Sequence, residues 1–423
     1  MSSTLRRDFL KTVAAMPAAA AVPSYSAMAA PERKRVKITD VKAMVVRGNA
    51  PWNLVKIETD AGITGFGEAY WGHGVKDVIL GYLRPLLIGE DPLSIEPLCA
   101  RMTLSTSGAG SAAGVTTTAI SGVEIGLWDL AGKILGVPVY TLLGGKFREG
   151  VRAYWTSQPE QIMDRESCQA YAAMIKGSPL GITAVKPAFY SIPGFPEPWK
   201  PSPDRRYGVP PTRLSRKILK QITKGYEILR EALGEDIDIA VHCHWEYDWM
   251  DALNLAKAVE SISPMWLEDP MPAAYSPSWS KLTQASPVPI LTGENTYGLE
   301  GFAPFILNNG CHKVQIDIPK AGGLLEAKRI ADLARLHYMP VCGHNASSPL
   351  GALASAHVAA TMRDFEALEF SPGTTKTYFS SVNYDGPIIE NGNWRLIDKP
   401  GFGVELNEDF MRKHLEPGEV WWG

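Results

Sequence analysis

Cysteine is scarce in these 423 residues. The five present (Cys99, Cys168, Cys243, Cys311 and Cys342) are scattered and include no C-x-x-C pair, so neither a disulfide framework nor a zinc ribbon is indicated. Long apolar runs are missing too. No uninterrupted stretch reaches the roughly 18 residues that a membrane span needs, and no stable membrane association is expected. Charge of one sign is not in excess: Lys plus Arg number 42 against 45 Asp plus Glu, a net charge of -3. No long basic run breaks that balance, which speaks against a nucleic-acid partner held through its phosphates. With 45% apolar and 21% charged residues the composition is globular. What remains is a chain that handles small molecules, long enough for two or three ordinary domains or one large barrel with an appendage.

The first residues read as an address. Arg6-Arg7-Asp8-Phe9-Leu10-Lys11 precedes an Ala-rich stretch, and Ala27-Met28-Ala29 is an A-x-A cleavage site. The pattern resembles a twin-arginine export signal, R-R-x-F-L-K, and implies that residues 1–29 direct the protein to the periplasm. A helical N-terminal extension is the other reading, although Pro17 and Pro23 would interrupt it. Twin-arginine export carries folded proteins, which suits one that acquires a metal ion in the cytoplasm.

Residues 36–70 alternate and predict strands over Ile38–Val46 and Trp52–Glu58, with a turn at Asp60-Ala61-Gly62. Thr117–Leu135 reads as a helix, preceded by a small-residue stretch, Ser105–Gly114, expected to be a mobile loop. From Val151 on, short β-branched runs alternate with longer helical patterns, the mark of βαβ units and a parallel sheet. Those runs end at Lys186, His242, Glu268, Glu294, Asp317, His344 and Glu369. From His242 the spacings are 26, 26, 23, 27 and 25 residues, about one strand, one helix and two loops. With Val151–Trp155 this makes eight strands, a (β/α)₈-type barrel whose strand C-termini face the active-site mouth. The step from Lys186 to His242 is 56 residues, a whole unit too long. The excess, an insert over residues 190–212, holds seven prolines together with Arg205, Arg206 and Tyr207. A Pro-rich loop is stiff. It reads either as a functional loop, with Arg205 and Tyr207 as candidate substrate contacts, or as a linker or oligomer contact.

Three barrel edges carry a resemblance: Trp266-Leu267-Glu268-Asp269-Pro270, Thr292-Gly293-Glu294-Asn295, and Gln315-Ile316-Asp317-Ile318-Pro319-Lys320-Ala321-Gly322-Gly323. Together with the helix from Ala119 to Lys133, they resemble the enolase superfamily, in particular its mandelate racemase-like sugar-acid dehydratases. The resemblance implies a modified TIM barrel over 151–371. It also implies an α+β capping domain over 30–150, on which the tail 372–423 packs back. The implied activity is a metal-dependent dehydratase of a sugar acid, a lyase acting on a small carboxylate, and a homo-oligomer is expected. Removing a proton alpha to a carboxylate builds a dianionic enediolate, and a divalent cation acting as a Lewis acid can neutralise it.

Glu268 and Glu294 match two of that family's three acidic metal ligands. The third departs from the pattern. The run is Val241-His242-Cys243-His244, and period-2 alternation puts His242 and His244 on one face, towards the barrel interior. By the resemblance His242 takes the place of the usual Asp ligand and His244 that of an acid/base histidine. Imidazole suits Mg²⁺ poorly, so the family's Mg²⁺ gives way to Mn²⁺, Fe²⁺ or Zn²⁺ as alternatives. Asp317 and His344 match an Asp–His general base. Glu369 matches a residue that hydrogen-bonds the substrate carboxylate or enolate. Where relatives carry K-x-K, Lys186 is kept and Ala188 replaces the second lysine. One base is then missing for a two-base racemase, and a base plus a histidine acid (His244) is the arrangement for eliminating water. Lys186 would orient or neutralise a carboxylate. Trp71 and His73, in Tyr70-Trp71-Gly72-His73-Gly74, resemble the specificity loop over the mouth and are candidate substrate contacts, a surface turn being the alternative. An epimerase or cycloisomerase, a metal hydrolase, and a barrel that has lost catalysis are the rival functions.

Overall fold

The computed structural model describes residues 35–422 apart from 111, 189–191, 193–213, 245 and 246. The export signal and nearly all of the Pro-rich insert, including Arg205 and Tyr207, lie outside the described residues.

The chain begins with an antiparallel meander, β1 (Ile38–Arg47), β2 (Pro51–Thr59) and β3 (Thr64–Ala69). The turn into β3 closes at Gly62, whose N–H donates to the Thr59 carbonyl at 3.1 Å. The helix Val115–Leu135 lies across this sheet at backbone-to-backbone range. A Cβ on Gly67 would come within 2.1 Å of the Gly122 carbonyl, and one on Gly122 within 2.7 Å of the Ala69 Cβ. The small residues on both faces let the layers approach. The stretch expected as a loop from Ser105 is in part helical: the helix Ile95–Thr106 runs into it and a 3₁₀ turn, Ser107–Ala109, follows. Its Ser and Ala residues are compatible with helix once Leu98 and Met102 are buried on the inner face.

Then comes the barrel. Its strands are β4 (Gly150–Trp155), β5 (Ala184–Val185), β6 (Asp238–Ile239), β7 (Val241–His242), β8 (Leu267–Glu268), β9 (Ile290–Thr292), β10 (Lys313–Asp317), β11 (Val341–His344) and β12 (Phe365–Phe370). β6 and β7 are one run interrupted at Ala240, whose N–H still donates to the Val185 carbonyl at 2.8 Å. Counted so, eight parallel runs form a ring. β12 pairs with β4, β4 with β5, β5 with β6, and β7 continues through β8 to β12. Helices follow the strands, several started by side-chain caps from Asp164, Ser215, Asp248 and Ser348. The interior is filled, not hollow. Tyr154, Ala184, Ala240, Trp266, Leu291, Cys342 and Ala367 form a buried layer, with Tyr154 edge-on to Trp266 at 5.4 Å.

The C-terminal tail divides its contacts. The hairpin Ile389–Glu390 and Asn393–Arg395 pairs antiparallel with the start of β4 at the barrel floor. Farther on, the tail returns to the meander: Arg47 N–H donates to the His414 carbonyl at 2.7 Å, and Phe410 stacks on Trp52. The five cysteines form no disulfide. No helix among the described residues is long and apolar enough to cross a membrane.

Candidate active site

All seven polar residues at the C-terminal strand edges, Lys186, His242, Glu268, Glu294, Asp317, His344 and Glu369, are buried. Glu294 is placed by a turn, not by β9 itself. Gly293, at φ 135, has no room for a side chain, since a Cβ would meet the Gln315 carbonyl at 2.3 Å.

On one side of the mouth, ligand atoms of His242, Glu268 and Glu294 lie within 4.8 Å of one another. His242 Nδ1 is 2.7 Å from Glu268 Oε1 without hydrogen-bond alignment, and Glu294 Oε2 is buried with no hydrogen-bond partner. A buried carboxylate oxygen with no donor, beside an imidazole nitrogen and a second carboxylate, fits a shared cation. Glu268 is otherwise fully held: Trp266 Nε1 donates to Oε2 at 2.8 Å and Lys186 Nζ to Oε1 at 2.7 Å. Burial pushes its carboxyl pKa up, but Lys186 and His242 win and hold it well below the ordinary range. Lys186 also reaches Glu369 Oε1 at 2.9 Å. Burial disfavours its ammonium, yet Glu268, Glu369 and Glu294 outweigh that and push its pKa above the usual lysine value. This lysine is a locked cation. It neutralises charge and has no proton vacancy with which to act as a base.

On the other side, His344 Nδ1 sits 2.6 Å from Asp317 Oδ2, which leaves Nε2 facing the mouth, 3.5 Å from Glu294 Oε2 and 3.6 Å from Glu369 Oε2. Burial lowers the imidazole pKa, but Glu294, Glu369 and Asp317 push it up to about 9. Glu369 is held by Lys186, by Tyr154 OH at 3.3 Å, by Asn345 N–H at 3.1 Å and by the Thr156 hydroxyl.

Two domain models match the sequence. Residues 26–144 match the mandelate racemase/muconate lactonizing enzyme N-terminal domain, and residues 214–410 match the enolase C-terminal domain-like family. The chain is 37% identical to a D-xylonate dehydratase of Haloferax volcanii over 384 residues, covering 91% of this chain and 90% of that one. The chain belongs to the mandelate racemase/muconate lactonizing enzyme family of the enolase superfamily. A D-mannonate dehydratase of Caulobacter vibrioides is 29% identical over 90% of the chain and 95% of its own length. The crystal structure of a mandelate racemase/muconate lactonizing enzyme-like protein from Rubrobacter xylanophilus superposes with a TM-score of 0.82 at 31% identity, covering 92% of this chain and 99% of that one. The chain is an enzyme, of the lyase class to which such dehydratases belong.

Against this family background the departures become concrete. Ala188 is buried, and its backbone bridges to His242. His244 lies beside His242, ring centroids 3.5 Å apart at 82°, but not for the reason alternation predicts. The strand ends at His242, and His244 returns to it through a left-handed backbone, φ 60. Burial, His242 and Lys186 all disfavour its protonated form, so its pKa lies far below the usual histidine value. Trp71 is exposed and, with Tyr70, Thr118, Asn295, Tyr297 and Lys320, lines a cavity of about 440 Å³. His73 is exposed on the neighbouring turn and does not line that cavity.

The sequence reading passed over two residues. Tyr70 is half-buried with its ring 5.9 Å from that of His344, and desolvation of its hydroxyl together with Asp317 and Glu294 pushes its phenol pKa well up. Lys320 is buried, donates to the Glu294 carbonyl at 2.9 Å and to Asn295 Oδ1 at 2.6 Å, and lies 4.1 Å over the Tyr70 ring. Both fall inside stretches that carried the family resemblance, next to the residues that drew attention.

Proposed function

We propose that this enzyme dehydrates a sugar acid of the aldonate type, removing the proton alpha to the carboxylate and expelling the beta-hydroxyl as water to give a 2-keto-3-deoxy acid. The observation that carries the reading is one oriented imidazole, His344, held by Asp317 at 2.6 Å, opposite a lysine held as a cation by Glu268 and Glu369. A racemase needs a second base on the other face, and Ala188 with charged Lys186 offers none among the described residues. The D-xylonate and D-mannonate dehydratase relatives support the substrate class.

In this reading the negative charge that raises the His344 pKa would be offset in part by a cation beside Glu294, freeing Nε2 to take the alpha proton, while Asp317 holds the tautomer and stabilises the imidazolium. Lys186 neutralises the substrate carboxylate, and Glu369 holds Lys186 in place at 2.9 Å and accepts from a substrate hydroxyl. Trp71, with Arg205 and Tyr207 of the insert, contacts the sugar chain. A divalent cation on His242, Glu268 and Glu294 would stabilise the negative charge that gathers on the carboxylate as the proton leaves. The imidazole in that set favours Mn²⁺, Fe²⁺ or Zn²⁺ over Mg²⁺. His244, protonated from solvent once the substrate's negative charge offsets Lys186, gives that proton to the departing hydroxyl.

Incubation of the purified protein with a panel of acid sugars in D₂O tests the reading. A 2-keto-3-deoxy acid from at least one aldonate supports it; epimerised substrate without water loss refutes it. The export signal belongs to the same proposal: residues 1–29 fused to a reporter should reach the periplasm only in cells with a working twin-arginine pathway. A homo-oligomer is expected by light scattering.

A further inference from the structure

We infer that two capping-domain glutamates, Glu68 and Glu124, are positioning residues for the Asp317–His344 pair, each clamping the barrel helix that follows one member of it. The inference rests on the functional reading above only where it invokes turnover.

The two members of the pair come from neighbouring βα units, Asp317 at the end of β10 and His344 at the end of β11. The loop after His344 leads to the helix Pro349–Ala360, and Glu68 on β3 sits at its N-terminus. Glu68 Oε1 accepts from Ser348 N–H at 2.8 Å, and Oε2 accepts from Gly351 N–H at 3.1 Å and from the Ser348 hydroxyl. Only Asn345, Ala346 and Ser347 separate Ser348 from His344. Asn345 is itself tied to Glu369, through its N–H to Oε2 at 3.1 Å and its side-chain amide to the carbonyl at 3.2 Å. The loop that carries His344 is thus pinned by the barrel at one end and by the cap at the other.

Glu124 repeats the device on the Asp317 side. From the helix Val115–Leu135 it accepts from Leu324 N–H at 2.8 Å and Leu325 N–H at 3.0 Å, the first turn of the helix Leu324–Leu336. Ser121, one turn earlier, accepts from Gly322 N–H at 2.8 Å. The first N–H groups of a helix have no partner within it and carry partial positive charge, so a carboxylate there satisfies both needs. Each receiving end has a glycine where the carboxylate approaches. A Cβ on Gly323 would fall 2.1 Å from Glu124 Oε2, and one on Gly351 would fall 2.8 Å from Glu68 Oε2. Both glutamates are buried, and both tie the cap to the barrel. Their placement makes the His344–Asp317 geometry depend on a domain that contributes neither residue.

The test compares wild type, Glu68→Gln and Glu124→Gln with Asp129→Asn. The last removes a buried carboxylate of the same helix that holds Phe66, Phe402 and Lys133, none of which belongs to the pair. Two readouts are taken: kcat and KM on an acid sugar that wild type dehydrates, and the low-field imidazole N–H resonance of His344, assigned by its loss in His344→Asn. An amide in place of Glu68 keeps one acceptor and turns an NH₂ towards backbone N–H. A displacement of the pair by a fraction of an ångström should cost ~10-fold or more in kcat, with KM changed little and the resonance shifted or broadened. Glu124→Gln should act in the same direction and less. Asp129→Asn should lower Tm but leave kcat and the resonance within about twofold and unmoved, respectively, since it touches neither loop. If Glu68→Gln fails to fold, Ser348→Ala removes the hydroxyl partner of Glu68 and should give a smaller kcat loss with the same resonance change. If the variants at the clamp match Asp129→Asn in both readouts, the inference is overturned. Should wild type dehydrate no sugar acid, the resonance alone still decides it, so the two failures are distinct.

Discussion

The two sides of the barrel mouth are built from the same kinds of residue and reach opposite electrostatic ends. On the β7–β9 side the buried ligand atoms are under-satisfied: His242 Nδ1 lacks an aligned partner, and Glu294 Oε2 has none. On the β10–β12 side Glu369 is held by four neighbours and His344 pairs with Asp317 Oδ2, although Asp317 Oδ1 is itself buried without a partner. The first is a socket whose electrostatics are completed from outside, the second a preorganised pair. Lys186 separates them, bridging Glu268 and Glu369 at 2.7 and 2.9 Å. An unsatisfied acidic oxygen alone therefore does not define a metal site; the first side is set apart by three ligand atoms that converge within 4.8 Å.

The comparison breaks most visibly if the socket is emptied. Glu294→Gln should lower metal affinity by more than ~100-fold and reduce copurifying metal well below one ion per chain by elemental analysis, with activity lost alongside. An unchanged metal content would remove Glu294 from the socket. A gentler change is His242→Asp, which replaces imidazole by a hard oxygen and should move metal preference towards Mg²⁺. Competition between Mg²⁺ and Mn²⁺ in calorimetry reads that shift.

The pair is probed through pH. With His344 raised to about 9 from an unfolded value near 6.5, the folded metal-free protein binds one more proton than the unfolded chain between those values. That contribution to stability is fully present below about pH 6.5 and is lost as pH rises through about 9. Thermal melts of the metal-free protein should therefore show a decline over this window, worth on the order of 1–3 kcal/mol, that flattens in His344→Asn. The smallest effects belong to the rim. Trp71→Ala, on the cavity, should raise KM by a few-fold, on the order of 1 kcal/mol of lost contact, whereas His73→Ala, on the surface turn, should change KM less than about twofold. Equal effects would make His73 a substrate contact alongside Trp71.

Much of this was legible in the sequence, and for a definite reason. A polar residue that ends an apolar run marks a strand's C-terminal edge, and the spacing of such edges is set by the length of a βα unit, so seven of the eight strand ends were readable in this way to within two residues. His244 was read onto the right side by the wrong argument, because alternation holds only while the strand lasts and this one stops at His242. The helical end of the Ser105 stretch was missed because small residues report flexibility without reporting what packs beneath them. Glu68 and Glu124 were not readable at all as clamps: their partners lie some 280 and 200 residues away, and no local pattern encodes a contact made across two domains. Only the paired glycines Gly322 and Gly323 hinted at it, as places where something must come close.

The proposed division of the mouth gives proton abstraction to His344 and no second base among the described residues. It is tested most directly by following alpha-proton exchange with D₂O and water loss together in His344→Asn and His244→Asn. General acid–base groups contribute about 10²–10⁴-fold each, so the changes are large. The account predicts that His344→Asn loses both exchange and dehydration, while His244→Asn with its metal retained loses dehydration and keeps exchange. Alpha-proton exchange or turnover near the wild-type rate in His344→Asn would contradict it.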